Sequence, residues 1–247
     1  MRLYTKKVAL AMSVNLIIMG VQGSGKGTQA AYISEKYDLL HVSTGDLFRA
    51  LKSRDDDFAR KIQAVLASGK LVSDQETNEV LQDHLEKTDL KNGVILDGYP
   101  RNIAQAEWLG KYLAQKGETL TAVLLLELDP YIAFKRAFGR VTASDNTTHN
   151  IYYNADAIDF EFEKHGDESY PPRLVAKLKS NGEPLKRRPD DASADAVLKR
   201  IDIFLNETAP LIDYYENKGL LIRVDADQPI DKVSERLVQI IEQRKTR

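Results

Sequence analysis

Five short runs of consecutive apolar residues punctuate the chain: Val14 to Met19, Leu39 to Ser43, Val94 to Asp97, Ala122 to Leu128, and Leu220 to Val224. Each has the length of a strand and lacks the alternation of a half-exposed one, which predicts strands buried on both faces in a parallel sheet. Helical patterns fill the intervals between them. In the last of these, Val233, Leu237, Ile240 and Ile241 fall at i, i+4, i+7 and i+8 and form one apolar stripe. The expected class is therefore α/β, with helices packed on each side of the sheet.

Two intervals exceed what a plain crossover needs. Ser43 to Val72 reads as a helical hairpin or clip, and Gly139 to Asp191, rich in Asp, Asn, Ser, Gly and Pro, reads as a small inserted subdomain or lid. Residues 1–13, with Arg2, Lys6 and Lys7 and no acid, read as an N-terminal extension. They lack the cleavage site and long apolar region of a targeting signal. Met12-Ser-Val-Asn15 leads straight into the first strand, which makes Met12 the expected start of the functional domain.

Composition narrows the function classes. At 247 residues the chain can hold one sizeable domain with insertions or two smaller units. A net charge of −2, with basic residues not interleaved with aromatics, gives no footprint for nucleic acid or an anionic membrane. No apolar stretch approaches the roughly 18 residues of a membrane span. The absence of cysteine removes disulfides, thiolate nucleophiles and cysteine-ligated zinc, and suits a reducing compartment such as the cytoplasm.

The first strand runs directly into Gly20-Val-Gln-Gly-Ser-Gly-Lys-Gly-Thr28 and then into a helical pattern. Gly20, Gly23 and Gly25 let successive backbone N–H groups turn inward toward phosphate oxygens, at a helix N-terminus that favours anions. Ser24, Gly25, Gly27 and Thr28 complete this phosphate loop, and Lys26 reaches the β and γ phosphates. Asp97, at the end of the third strand, either orients waters around Mg²⁺ or caps a turn. Asp190 and Asp191 either tether arginines or cap the next helix.

The Lys-Gly-Thr order, with Ser43-Thr-Gly-Asp-Leu-Phe-Arg49, Gly69-Lys-Leu-Val72, Leu96-Asp-Gly-Tyr-Pro-Arg101 followed by Gln105, and Thr208-Ala-Pro-Leu-Ile212, resembles the adenylate kinases, in family order and over most of the chain from Val14. The resemblance implies a P-loop three-layer α/β/α fold with a five-stranded parallel sheet of order 2-3-1-4-5 and two mobile insertions. The CORE is then 14–42, 73–138 and 192–247, the AMP-binding clip 43–72 and the LID 139–191. The implied reaction is reversible transfer from Mg-ATP to AMP giving two ADP, by a cytoplasmic monomer. For AMP the resemblance assigns Thr44, Gly45, Arg49, Lys70, Leu71, Val72, Gly98, Tyr99, Pro100, Arg101, Gln105, Arg188 and Arg200. For ATP it assigns the loop, Arg136, Arg140, Ile151, Tyr152 and Gln228, with Lys26, Arg101, Arg140, Arg188 and Arg200 closing on the transferred group.

Arginine suits this chemistry, since the acceptor phosphate is already ionised and needs no base, only positioning and charge neutralisation. The chain departs from its relatives at Gln22, usually proline, at Gln228, often lysine, and in a longer lid centre. With no cysteine the lid is expected to lack structural zinc and to be held by polar and aromatic packing. A UMP/CMP kinase, or a nucleotide sensor on the same fold, are the competing functions. Thr44, Gln105 and the long lid favour adenine, whereas Asn102 is common in the pyrimidine branch. His41 and Trp108 read as packing residues, and Asp55 to Asp57 as a solvated helix start.

Overall fold

The computed structural model describes residues 13–51, 53–67, 72–88, 90–163, 173–188, 191 and 193–245. Residues 1–12, including Met12, and the binding candidates Lys70 and Leu71 lie outside them.

The central sheet holds β1 (Val14–Gly20), β2 (Leu40–Ser43), β3 (Gly93–Asp97), β4 (Ala122–Glu127) and, after the insertions, β9 (Leu221–Asp225). All pairs are parallel and the order is β2-β3-β1-β4-β9, the expected topology. Successive side chains of a strand point to opposite faces. Leu16, Ile18, Ile95, Leu124 and Leu126 accordingly pack on one face against α1 (Lys26–Tyr37) and α9 (Ile230–Lys245), where Ile33, Leu237 and Ile241 are fully buried. Ile17, Met19, Leu96, Val123 and Leu125 pack on the other against α4 (Asp74–Glu86), α5 (Ile103–Gln115) and α8 (Pro210–Asn217). Trp108 joins that second layer, stacked on Tyr112 with ring centroids 5.2 Å apart.

The interval 43–72 contains α2 (Thr44–Leu51) and α3 (Asp57–Ala67), which share with α4 a small cluster of Leu51, Ala59, Ile62 and Val80. Asp56 accepts from the Ala59 N–H, and Asp55 and Asp57 pair with Arg60, the solvated start expected of α3. A third cluster joins α6 (Pro130–Phe138) to α7 (Ala194–Ile203) through Ala133, Ala137, Phe138, Val197 and Ile201, with Val21 of the phosphate loop against it.

Between those helices lie two antiparallel hairpins, β5 (Arg140–Thr142) with β6 (Thr148–Asn150), and β7 (Ile158–Glu163) with β8 (Arg173–Leu178). The expected polar and aromatic contacts are present, with Ser144 N–H donating to Glu183 and Phe162 stacked on Phe138, but they are not the main packing. Val141, Ala143, Ile151, Ile158, Leu174 and Leu185 form an aliphatic core of their own, while Phe160 and Phe162 remain exposed. Short strands contribute one or two inward residues each, so no single run was apolar enough to announce the cluster.

Candidate functional site

The carboxyl ends of the strands carry the site, beside β1, where the chain's crossover direction reverses. Gly23 has φ 91°, and a Cβ there would stand 2.5 Å from the Ala133 carbonyl oxygen, so the loop can lie against α6 only as glycine. Gly25, at φ 90°, is the N-cap of α1 and offers no side-chain acceptor. The first N–H groups of a 12-residue helix are thereby left for an outside anion. Ser24 Oγ is buried without a partner among the described residues, whereas Gly27 and Thr28 are exposed on the first turn.

Lys26 folds back onto the loop, its Nζ donating to the carbonyls of Gly20 at 2.7 Å and Val21 at 3.0 Å. Burial of its ammonium lowers the pKa to about 8; Asp97 opposes the shift, and Arg200, Arg140 and Arg101 add to it. Four cations thus converge here, with the carboxylate of Asp97 nearest the lysine. That carboxylate, Asp97, is itself pushed up by burial, with Lys26 and then His41 pulling it back. His41 is not the enclosed core residue expected: it is partly exposed, with Nε2 4.0 Å from Asp97 Oδ2.

Asp191 settles which of its two alternative roles it plays. Its side chain is 0% exposed; Oδ2 accepts from Arg140 Nε at 3.1 Å and from Arg140 Nη2, and Arg200 Nη1 lies 3.6 Å from Oδ1. Capping of α7 falls instead to Ser193, which accepts from Ala196 N–H. A buried carboxylate costs several kcal/mol unless it is paired, so Asp191 and its arginines hold one another. Arg188 is exposed, and its carbonyl accepts from Asp191 N–H. Its neighbour Arg187, which the sequence did not single out, lies over the Phe138 ring at 4.7 Å and ties the end of the insertion to α6.

On the β2–β3 side, buried Thr44 donates to Gly98 O at 3.0 Å, and Arg49, on α2 one turn beyond Gly45, pairs with Asp46. Arg101 Nε donates to the same Gly98 carbonyl. One assignment needs correction. Tyr99, joined to Pro100 by a cis peptide, is 1% exposed and bonds Asn78, so its ring secures the segment from beneath and is not presented to a ligand. Gln105, expected to donate and accept on the edge of adenine, accepts from Arg101 N–H and donates to Asp74 Oδ1. Asn102 has a local explanation, since its side chain caps α5 by accepting from Gln105 N–H. Val72 directly precedes Ser73, the N-cap of α4.

At the opposite end, Arg136 donates to Ala226 O at 2.8 Å and to Asp227 at 3.0 Å, and Gln228 donates to Asp225. Arg136 and Gln228 are thereby brought to one turn after β9. Ile151 is a further correction: its side chain is buried in the aliphatic core of the hairpins, and of the expected pair only Tyr152 presents its side chain at the surface.

Among the described residues no group of three or more His, Asp or Glu side chains could hold a metal ion. A lone carboxylate beside a phosphate loop fits a divalent cation that arrives on phosphate oxygens and keeps its waters, as Mg²⁺ does. No helix of the described residues is long and apolar enough to cross a membrane.

Comparison with known proteins agrees with this geometry. The family model described as adenylate kinase matches residues 18–220. An adenylate kinase of Caldanaerobacter subterraneus subsp. tengcongensis is 37% identical over 223 residues, 90% of this chain and 93% of the relative. Adenylate kinases of Listeria monocytogenes and Clostridioides difficile are each 36% identical, covering 89% and 91% of this chain and 95% and 97% of their own.

Proposed function

The chain belongs to the adenylate kinase family, and from that premise we propose that it transfers the γ-phosphoryl group of Mg-ATP to AMP, reversibly, giving two ADP. The observation that carries this reading is the convergence of Lys26, Arg101, Arg140 and Arg200 on one phosphate loop, where burial lowers the lysine's pKa to about 8 and the three arginines add to the shift. Asp97 and Asp191 offset part of that charge, and phosphate oxygens would offset the rest.

An oxygen of the AMP phosphate attacks the γ-phosphorus, and the bond from that phosphorus to the β–γ bridging oxygen breaks. ADP leaves from one side and the new ADP from the other. The acceptor oxygen is ionised at neutral pH, so the protein needs no general base and catalysis lies in alignment and charge. Lys26 leaves the Gly20 and Val21 carbonyls for the β and γ oxygens, and the loop N–H groups and Ser24 hold the donor. Arg101 and Arg49 hold the acceptor phosphate, and Arg140, Arg188 and Arg200 neutralise the group in flight. Asp97 orients the waters of the Mg²⁺ that accompanies ATP, whose charge offsets that of the phosphate oxygens. Arg136, Gln228 and Tyr152 border the donor base.

In this reading residues 43–72 act as the acceptor clip and 139–191 as a lid on the CORE of residues 14–42, 73–138 and 192–247. The lid shuts because water beside the γ-phosphate would compete with AMP. The enzyme works as a monomer, and the lack of cysteine is consistent with the cytoplasm. A coupled assay with AMP, CMP and UMP as competing acceptors tests the proposal. ADP formation fastest with AMP is expected, and faster turnover with CMP or UMP would reverse it.

A further inference from the structure

Gln22 lies in the phosphate loop, between Val21 and Gly23, and its side chain turns away from the nucleotide space toward the root of the insertion. Its Nε2 donates to Asp191 Oδ1 at 2.9 Å, a contact across 169 positions of sequence. The other oxygen, Oδ2, already receives Arg140 through two guanidinium nitrogens. Arg200 stands 3.6 Å from Oδ1, beyond a good hydrogen bond. Gln22 therefore supplies the short bond to the second oxygen of a carboxylate that has no contact with solvent.

We propose that Gln22 is a positioning residue: through Asp191 it fixes Arg140 and Arg200 relative to the phosphate loop, so that the arginines stand at a set distance from the phosphates the loop holds. The inference rests on the phosphoryl-transfer reading above. Gln22 touches no reacting group in this account. Its effect runs through a single carboxylate, which clamps one arginine from β5 and one from α7 to the phosphate loop that leads into Lys26. Without the amide, Asp191 Oδ1 loses its short partner among the described residues, and the carboxylate can rotate toward Arg200 and carry Arg140 with it. A displacement of about 1 Å in a charged group aimed at a transition state can cost a hundredfold in rate.

The test is a kinetic double-mutant cycle with ATP and AMP, using Gln22→Ala, Asp191→Ala and the double variant. Gln22→Ala should lower kcat about tenfold, the scale of one hydrogen bond to a charged group. The KM for AMP should stay within about twofold, since uniform binding is not what is lost. In the Asp191→Ala background the same change should alter kcat by less than about twofold. Two further variants separate positioning from space-filling without touching Asp191. Gln22→Glu has the same shape but offers no donor at neutral pH and should be at least as impaired as Gln22→Ala, whereas Gln22→Lys restores a donor and should recover kcat to within about threefold of the parent. Equal losses in both Asp191 backgrounds, or a Gln22→Glu enzyme as fast as the parent, would overturn the proposal. Should Asp191→Ala not fold, the Glu and Lys variants decide alone. A parent protein that makes no ADP from ATP and AMP would refute the phosphoryl-transfer reading itself, a different outcome from an active parent with additive losses.

Discussion

The backbone N–H of Arg101 donates to the side-chain Oε1 of Gln105 at 2.8 Å, so the residue expected to read the acceptor base also fixes the backbone of the arginine expected to hold the acceptor phosphate. Asp74 holds the other end of the same amide, and Asn102 shares that carboxylate oxygen. In the proposed reading, base and phosphate recognition are linked through one glutamine. The amide has two N–H donors and two lone pairs, so these two bonds use half of its capacity.

Removing the amide should therefore affect more than base choice. Gln105→Ala is expected to lower kcat/KM for AMP on the order of ten- to a hundredfold, and to narrow the preference for AMP over CMP, because a site built around a hydrogen bond rejects ligands lacking it most strongly. Steady-state rates with both acceptors check this. Unchanged discrimination would leave Gln105 with the Arg101 backbone alone.

The position of Lys26 predicts a pH dependence with a definite sign. Its pKa is lowered from 10.5 to about 8 in the ligand-free protein, chiefly by burial. Between those values the unfolded chain binds more protons, so this group's contribution to stability rises with pH across that window. Triphosphate restores the charged form, and binding above pH 8 must take up a proton. Affinity for ATP should weaken as pH rises beyond 8, and calorimetry at about pH 9 in buffers of differing ionisation enthalpy should find uptake approaching one proton, against little from this group at about pH 6.5. Equal uptake by Lys26→Ala would assign the titration elsewhere.

The aliphatic core of the hairpins should behave as a separate unit. Leu174 is 3% exposed among Val141, Ile158 and Leu185, and truncating such a leucine costs about 2–5 kcal/mol. Leu174→Ala is expected to raise amide exchange across residues 139–163 and 173–188 while exchange in the central sheet changes little, because the clusters share no residue. Protection lost equally from both would show that the hairpins and sheet open together.

What the sequence made legible follows from the range of the forces involved. The strands β1, β3 and β4 were plain because burial on both faces writes an unbroken apolar run. The phosphate loop was plain because its glycines are demanded locally. The Gln22–Asp191 bond was not, since a polar contact between a loop and a helix root leaves no period in either segment; the one available signal was an amide where relatives place a proline. Gln105 has partners that its residue type does not announce: its donor and acceptor suit adenine, and they also suit Arg101 and Asp74. His41 read as core because its strand is apolar, yet β2 is the sheet's edge and ends beside Asp97.

The central claim is that the cationic cluster around Lys26 moves a phosphoryl group directly from ATP to AMP. Incubation with ATP labelled in its γ-phosphate, with AMP present, follows that group. The label should appear in the β-phosphate of newly formed ADP with little inorganic phosphate, and Lys26→Ala should slow its appearance on the order of ten- to a thousandfold, the scale of losing one preorganised charge, without unfolding the protein. Label released as inorganic phosphate, or transferred at the parent rate by Lys26→Ala, would contradict the account.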